Sequence, residues 1–209
     1  HVTGNDAFVF SPTTGAPAVQ IFSLSSLSAP QPGTPINPLG LPYTVDDAFL
    51  DKDGNVLLFS KSQLSLFRWS PSARAYTSSI PLIGVPSFAG YSSQDHSAYF
   101  AYDSQVIRKL DLSVANPKEV SLVNLPGAPS GFTMAGEFAY AASVNKLHTF
   151  SNSGSTITTT GFTYYYGSHN VWDPVKRRVY HFRDGISPND LHYDTINSVG
   201  SIASCGDTP

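Results

Sequence analysis

Ala98-Tyr99-Phe100-Ala101-Tyr102-Asp103-Ser104-Gln105-Val106-Ile107-Arg108-Lys109-Leu110-Asp111 decides how this chain reads. A short apolar run passes through a polar turn into a second, alternating run. Asp and Ser tolerate tight-turn backbone and bond it locally, so the stretch is a β-hairpin. Three further copies follow the same plan. They are Val56-Leu57-Leu58-Phe59 with Leu64-Ser65-Leu66-Phe67, Phe138-Ala139-Tyr140 with Leu147-His148-Thr149-Phe150, and Val179-Tyr180-His181-Phe182 with Leu191-His192-Tyr193. A looser copy pairs Phe8-Val9-Phe10 with Val19-Gln20-Ile21-Phe22. The second run of each hairpin opens at Val19, Leu64, Val106, Leu147 and Leu191, so the gaps are 45, 42, 41 and 44 residues. A period of this length with several strands per repeat is the signature of a propeller blade.

Each repeat has room for two more strands. Upstream lie residues 44–50, 88–92, 131–134 and 170–172; downstream lie 75–80, 119–123, 156–160 and 200–204. Pro and Gly mark most junctions, as at Pro81, Gly84, Pro126, Gly127, Gly161 and Gly167. The expected fold is all-β: a β-propeller of about five four-stranded blades, over residues 1–40, 43–84, 86–126, 128–166 and 167–205. A plain sandwich or barrel is the other all-β architecture open to such a pattern. The first blade is expected to be incomplete, because little precedes Ala7. The four residues after Cys205 are too few for a closing strand, which predicts part of a larger ring whose remaining blades lie outside this chain. The chain opens at His1 without a Met or a leader-like segment and reads as a processed or excised piece.

Composition narrows the function classes. Charged residues are 13% and hydrophobic residues 41%, which suits a folded domain rather than a disordered one. With 16 Gly and 16 Pro scattered along the chain, no helix longer than about two turns is expected. The net charge is −3 and the only basic cluster is Lys176-Arg177-Arg178, which argues against binding a nucleic-acid backbone. No apolar stretch is long enough for a membrane span. The one cysteine, Cys205, either stays a free thiol or pairs outside this sequence. A Ser- and Thr-rich surface poor in Lys and Glu points to an extracellular, periplasmic or cell-surface setting.

The hairpin of Ala98 to Asp111 resembles the bacterial YVTN-type propeller repeat, in which a "VYV" strand leads through a polar turn into a "VSVID" strand. Val179-Tyr180-His181-Phe182 running to Leu191-His192-Tyr193-Asp194 is similar to it with a longer turn. The resemblance covers most of residues 43–204. Kelch repeats carry a paired glycine in each blade, which is absent here, and Trp172-Asp173 sits on the wrong strand for a WD-type repeat. The resemblance implies an extracytoplasmic binding or surface protein, with a minority of related rings being lactonases or other enzymes. Fold alone does not choose between them.

Several residue groups are candidate sites. Asp46 and Asp47 begin the first strand of their repeat, and His169 holds a similar place in the last one; together they suit a channel mouth holding a cation or a polar ligand. Tyr164, Tyr165 and Tyr166 lead toward Trp172 and would make an aromatic platform for a sugar or a protein hot spot, or else pack between blades. His181, Asp184, Asp190 and His192 surround the longest inner turn and are the weak candidates for a metal, although alternation can put the two histidines on opposite faces. Asp51-Lys52-Asp53-Gly54-Asn55 looks like a piece of a calcium loop without its later acidic ligand, and reads as an Asp-Gly turn. Glu119 and Glu137, the only glutamates, do not form the facing pair a glycosidase needs. No serine stands in a glycine elbow and no glycine-rich phosphate cradle occurs. The sequence therefore implies no cofactor and no resident metal. It favours a non-catalytic extracytoplasmic module that presents propeller loops to a protein or carbohydrate. The alternative is a lactonase- or lyase-like propeller enzyme with its site at the channel mouth.

Overall fold

The computed structural model describes residues 2–3, 5–10, 19–25, 34–36, 44–144, 146–161, 165–184 and 191–207. It falls into two compact units, His1–Val85 and Pro86–Pro209. In the first unit, β1 (Val2–Thr3), β2 (Asp6–Phe10), β3 (Val19–Ser23) and β4 (Thr34–Pro35) form one sheet. There, β5 (Asp47–Leu50), β6 (Val56–Ser60), β7 (Ser65–Ser70) and β8 (Ala75–Pro81) form another. The second unit holds three sheets: β9 (Phe88–Ser92) to β12 (Glu119–Asn124), β13 (Pro129–Ala135) to β16 (Thr156–Gly161), and β17 (Tyr165–Asp173) to β20 (Ile202–Asp207). Within them run β10 (Ser97–Tyr102), β11 (Val106–Asp111), β14 (Phe138–Ser143), β15 (Lys146–Ser151), β18 (Arg178–Asp184) and β19 (Leu191–Ile196).

Every sheet is a four-stranded antiparallel meander in chain order, and no helix occurs among the described residues. The first sheet, expected to be incomplete, has its four strands, but β1 and β4 are two residues each. The last strand, β20, runs on through Gly206 to Asp207.

Burial explains the residue choices. The second strands β6 (VLLFS), β10 (SAYFAY) and β14 (FAYAAS) are buried at every position, so they read as apolar runs without alternation. Of the outermost strands, β8 (AYTSSIP) is mostly exposed and β12 (EVSLVN) is half exposed with no buried position, and they carry the Ser, Thr and Glu. A strand covered on both faces wants apolar side chains on both, and an edge strand wants neither. In the second unit the first strands are innermost, with β13 lying beside both β9 and β17. The approach is close: a Cβ added at Gly90 on β9 would sit 3.1 Å from side-chain carbons of Met134 and Phe132 on β13.

Two cores fill the gaps between these sheets. Tyr99, Ile107, Phe132, Met134 and Phe150 pack between the third and fourth sheets. Phe138, Tyr140, Leu147, Val179 and Ile196 pack between the fourth and fifth, with Trp172 at the rim. The first unit has its own core around Phe8, Ile21, Val56, Leu58, Phe67 and Trp69.

The repeat is also written in the turns. A left-handed residue precedes the second strand of four sheets, at Gly54, His96, Gly136 and Arg177. Another sits in the next turn of three sheets, at Leu64, Gln105 and Val144. The side chain of Arg177 fastens its turn to the far end of β19, donating to the carbonyls of Ile196 at 2.9 Å and Asn197 at 2.7 Å.

Candidate functional site

Asp46 and Asp47 are exposed at the entry to β5. Asp46 Oδ2 accepts the Lys61 amide at 2.7 Å, tying the start of β5 to the β6–β7 turn. Asp47 Oδ1 accepts the Ala48 amide at 2.8 Å. Both carboxylates thus brace backbone of their own sheet. Asp51 is buried in the β5–β6 turn, where its carboxylate accepts the Asp53 amide at 2.9 Å, the Asn55 amide at 2.8 Å and Arg68 Nε at 2.8 Å. Burial pushes this carboxyl up, but the Asn55 and Arg68 donors outweigh it and hold it below the usual carboxylate range. Arg68 supplies the cation that a calcium ion would supply, so the Asp51–Asn55 loop is closed by protein donors.

Tyr165, Tyr166 and His169 lie on β17, while Tyr164 and Asp190 are outside the described residues. β17 is nine residues long, against five for β9 and seven for β13. Its pairing with β18 runs from Asp173↔Arg178 to Asn170↔His181, breaks register, and resumes at Tyr166↔Arg183 and Tyr165↔Asp184. The extra length of β17 lies in this register break, wider than the one between Pro129 and Gly131 in β13, and a bulge of this kind re-aims a strand end. Trp172 is not part of that extension. Its side chain packs against the core between the fourth and fifth sheets, with the Arg177 guanidinium 5.7 Å from its ring centre. It is partly buried there.

The structure gathers a second group, deeper in the fifth sheet. His181 on β18 pairs directly with His192 on β19, so the two histidines share one face. Asp194, two residues beyond His192, projects from that face as well, and the residues on either side of it alternate outward. His181, His192 and Asp194 are only 1%, 5% and 0% exposed. The imidazole centroids are 5.0 Å apart. His181 Nε2 is 3.8 Å from Asp194 Oδ2, and His192 Nε2 is 3.9 Å from Asp194 Oδ1. From β14 in the fourth sheet, the Tyr140 hydroxyl donates to Asp194 Oδ2. Burial pushes the Asp194 carboxyl above its ordinary range, against the opposing pull of the Tyr140 hydrogen bond and of His192.

Asp194 thus joins the histidines, while Asp190 and the side chain of Asp184 lie outside what the structure describes. Sequence reading passed over it because it closes a repeat-like Leu-His-Tyr-Asp run. The available signal was the alternation His192-x-Asp194 facing His181 across the hairpin. In this arrangement a buried carboxylate meets two buried imidazoles, which suits either an internal polar brace or a cation site.

No protein-family model and no curated protein matches the chain. Solved structures do. A functionally unknown protein from Desulfotomaculum acetoxidans is 14% identical with a TM-score of 0.68, covering 90% of this chain and 62% of its own. Virginiamycin B lyase from Staphylococcus aureus is 13% identical with a TM-score of 0.62, covering 91% and 62%. BBS1N, solved in complex with ARL6DN, is 11% identical with a TM-score of 0.65, covering 98% and 64%. The chain spans about half to just under two thirds of the solved chains it matches. Binding propellers and an enzyme stand side by side among them, and what they share with these five meandering sheets is the fold, a β-propeller.

Proposed function

We propose that the chain is a non-catalytic, extracytoplasmic binding module that uses propeller loops, and above all the β17–β18 hairpin, to hold a protein or glycan. The observation that carries this reading is the wide register break in β17, from Tyr166 to Asn170 against Pro129 to Gly131 in β13, which puts Tyr165 and Tyr166 at the far end of the longest innermost strand of that unit. Binding residues concentrate where loops and strand ends leave a rigid scaffold. Tyrosine supplies large contact area at low entropic cost. The exposed Asp46 and Asp47 carboxylates each accept a backbone amide, those of Lys61 and Ala48. BBS1N, of similar fold, is solved in complex with ARL6DN. The greater length of the matched propellers supports a larger ring, of which these five sheets are a part.

The test compares wild type with a Tyr165→Ala/Tyr166→Ala double variant. Both are displayed against a glycan array and against cross-linked surface proteins of the source cell. The double variant is expected to keep its melting temperature and to lose about tenfold or more in affinity for whatever wild type retains. Equal retention by both proteins would sink the binding role of this hairpin.

A further inference from the structure

We propose that His181, His192 and Asp194 form a three-ligand site for a divalent transition metal of the zinc type, its fourth position left for a water, set inside the fifth sheet and steadied by Tyr140 of the fourth. The ligand types are those zinc takes: two imidazole nitrogens and a carboxylate oxygen. One atom from each of the three residues lies within 4.8 Å of the others. The His–Asp gaps of 3.8 and 3.9 Å are too long for hydrogen bonds. They are close to the spacing of groups that share an ion, since donors about 2.1 Å from a tetrahedral metal lie about 3.4 Å apart. With one ligand atom from each residue within 4.8 Å of the others, side-chain adjustments of about an ångström bring the set onto one ion.

A second observation points the same way. Asp194 Oδ1 is fully buried and accepts no hydrogen bond, although Oδ2 accepts from Tyr140. A buried carboxylate oxygen that accepts no hydrogen bond is costly, and a cation between it and the two imidazoles removes that cost. Tyr140 then takes the part of an outer hydrogen-bond partner that orients a ligating carboxylate. Because β18 and β19 are paired strands, both imidazoles and the carboxylate sit on backbone that is already ordered.

The experiment uses the untagged full chain, stripped with a chelator and titrated with Co²⁺ and then Zn²⁺. The expected result is one equivalent of Co²⁺ with a tetrahedral visible band, displaced by Zn²⁺, and a melting temperature several degrees higher with Zn²⁺ than without. Asp194→Asn and His192→Gln should each abolish the band and the shift. Tyr140→Phe should keep the stoichiometry and weaken affinity about 10- to 100-fold. Absence of a one-equivalent band in wild type overturns the site, and so does a band that survives in both Asp194→Asn and His192→Gln. Should Asp194→Asn not fold, His192→Gln and His181→Gln carry the same decision.

Discussion

The Tyr140 hydroxyl on β14 donates to the Asp194 carboxylate on β19, joining two sheets across 54 positions of sequence in a fully buried contact. It is a polar tie within a gap otherwise filled by Phe138, Leu147, Val179 and Ile196.

Removing the donor should therefore cost more than one ordinary hydrogen bond. Tyr140→Phe keeps the ring and its stacking near His181, at a centroid distance of 6.4 Å, and deletes only the hydroxyl. It leaves a buried acceptor unsatisfied, and the expected loss is about 1–3 kcal/mol in unfolding free energy. Denaturant titration of the metal-free protein checks this. A loss below about 0.5 kcal/mol would show that the carboxyl finds another partner.

The Asp51–Arg68 pair predicts a pH effect of definite sign. The Asp51 carboxyl is held below its ordinary value of 3.8 in the folded protein, so it contributes stability that is fully present above that value. That stability is lost as pH falls through the depressed folded value. Asp51→Asn should flatten the acid side of the stability profile relative to wild type. Arg68→Met leaves the buried carboxylate without its cation and should cost about 3 kcal/mol at neutral pH. Pairing the two substitutions should recover part of that loss, which a double-mutant cycle in urea measures.

Val144 predicts a gain. It is a β-branched residue at φ 49°, 58% exposed, in the β14–β15 turn. The left-handed region costs a residue with a Cβ about 1–2 kcal/mol, while glycine adopts it freely at some entropic expense. Val144→Gly should raise stability by about 0.5–1 kcal/mol in the same assay. A decrease would mean that the Val144 side chain, lying beside Gly127, contributes more by packing than the turn loses by strain.

The blades were legible because each repeat must bury two faces of its second strand, which puts Leu57-Leu58, Tyr99-Phe100 and Ala139-Tyr140 at a regular spacing. Hairpin pairing then follows from local turn chemistry. The polar cluster was half legible. His181 and His192 stand out as residue types, but Asp194 acquires its meaning from Tyr140, far away in sequence, and from a register that a one-residue slip would have inverted. Trp172 pairs with Val179 across the hairpin and packs, partly buried, against the core, a placement that its position near a tyrosine run does not announce. Leu64 and Val144 lie in turns whose left-handed backbone their side chains do nothing to announce.

The plain meander order of every sheet has a mechanical consequence. No strand among those described is shared between sheets, so each backbone ladder ends where its own four strands end. A force applied along the chain meets these ladders in a geometry that opens one hydrogen bond at a time rather than shearing many at once. With repeats spaced 41 to 45 residues apart, extension should proceed in steps of roughly 140–160 Å of freed chain, one sheet per step. The step between the fourth and fifth sheets must also break the side-chain tie from Tyr140 to Asp194. That makes the polar cluster a latch whose release would be visible as a single stiffer event in an otherwise even series.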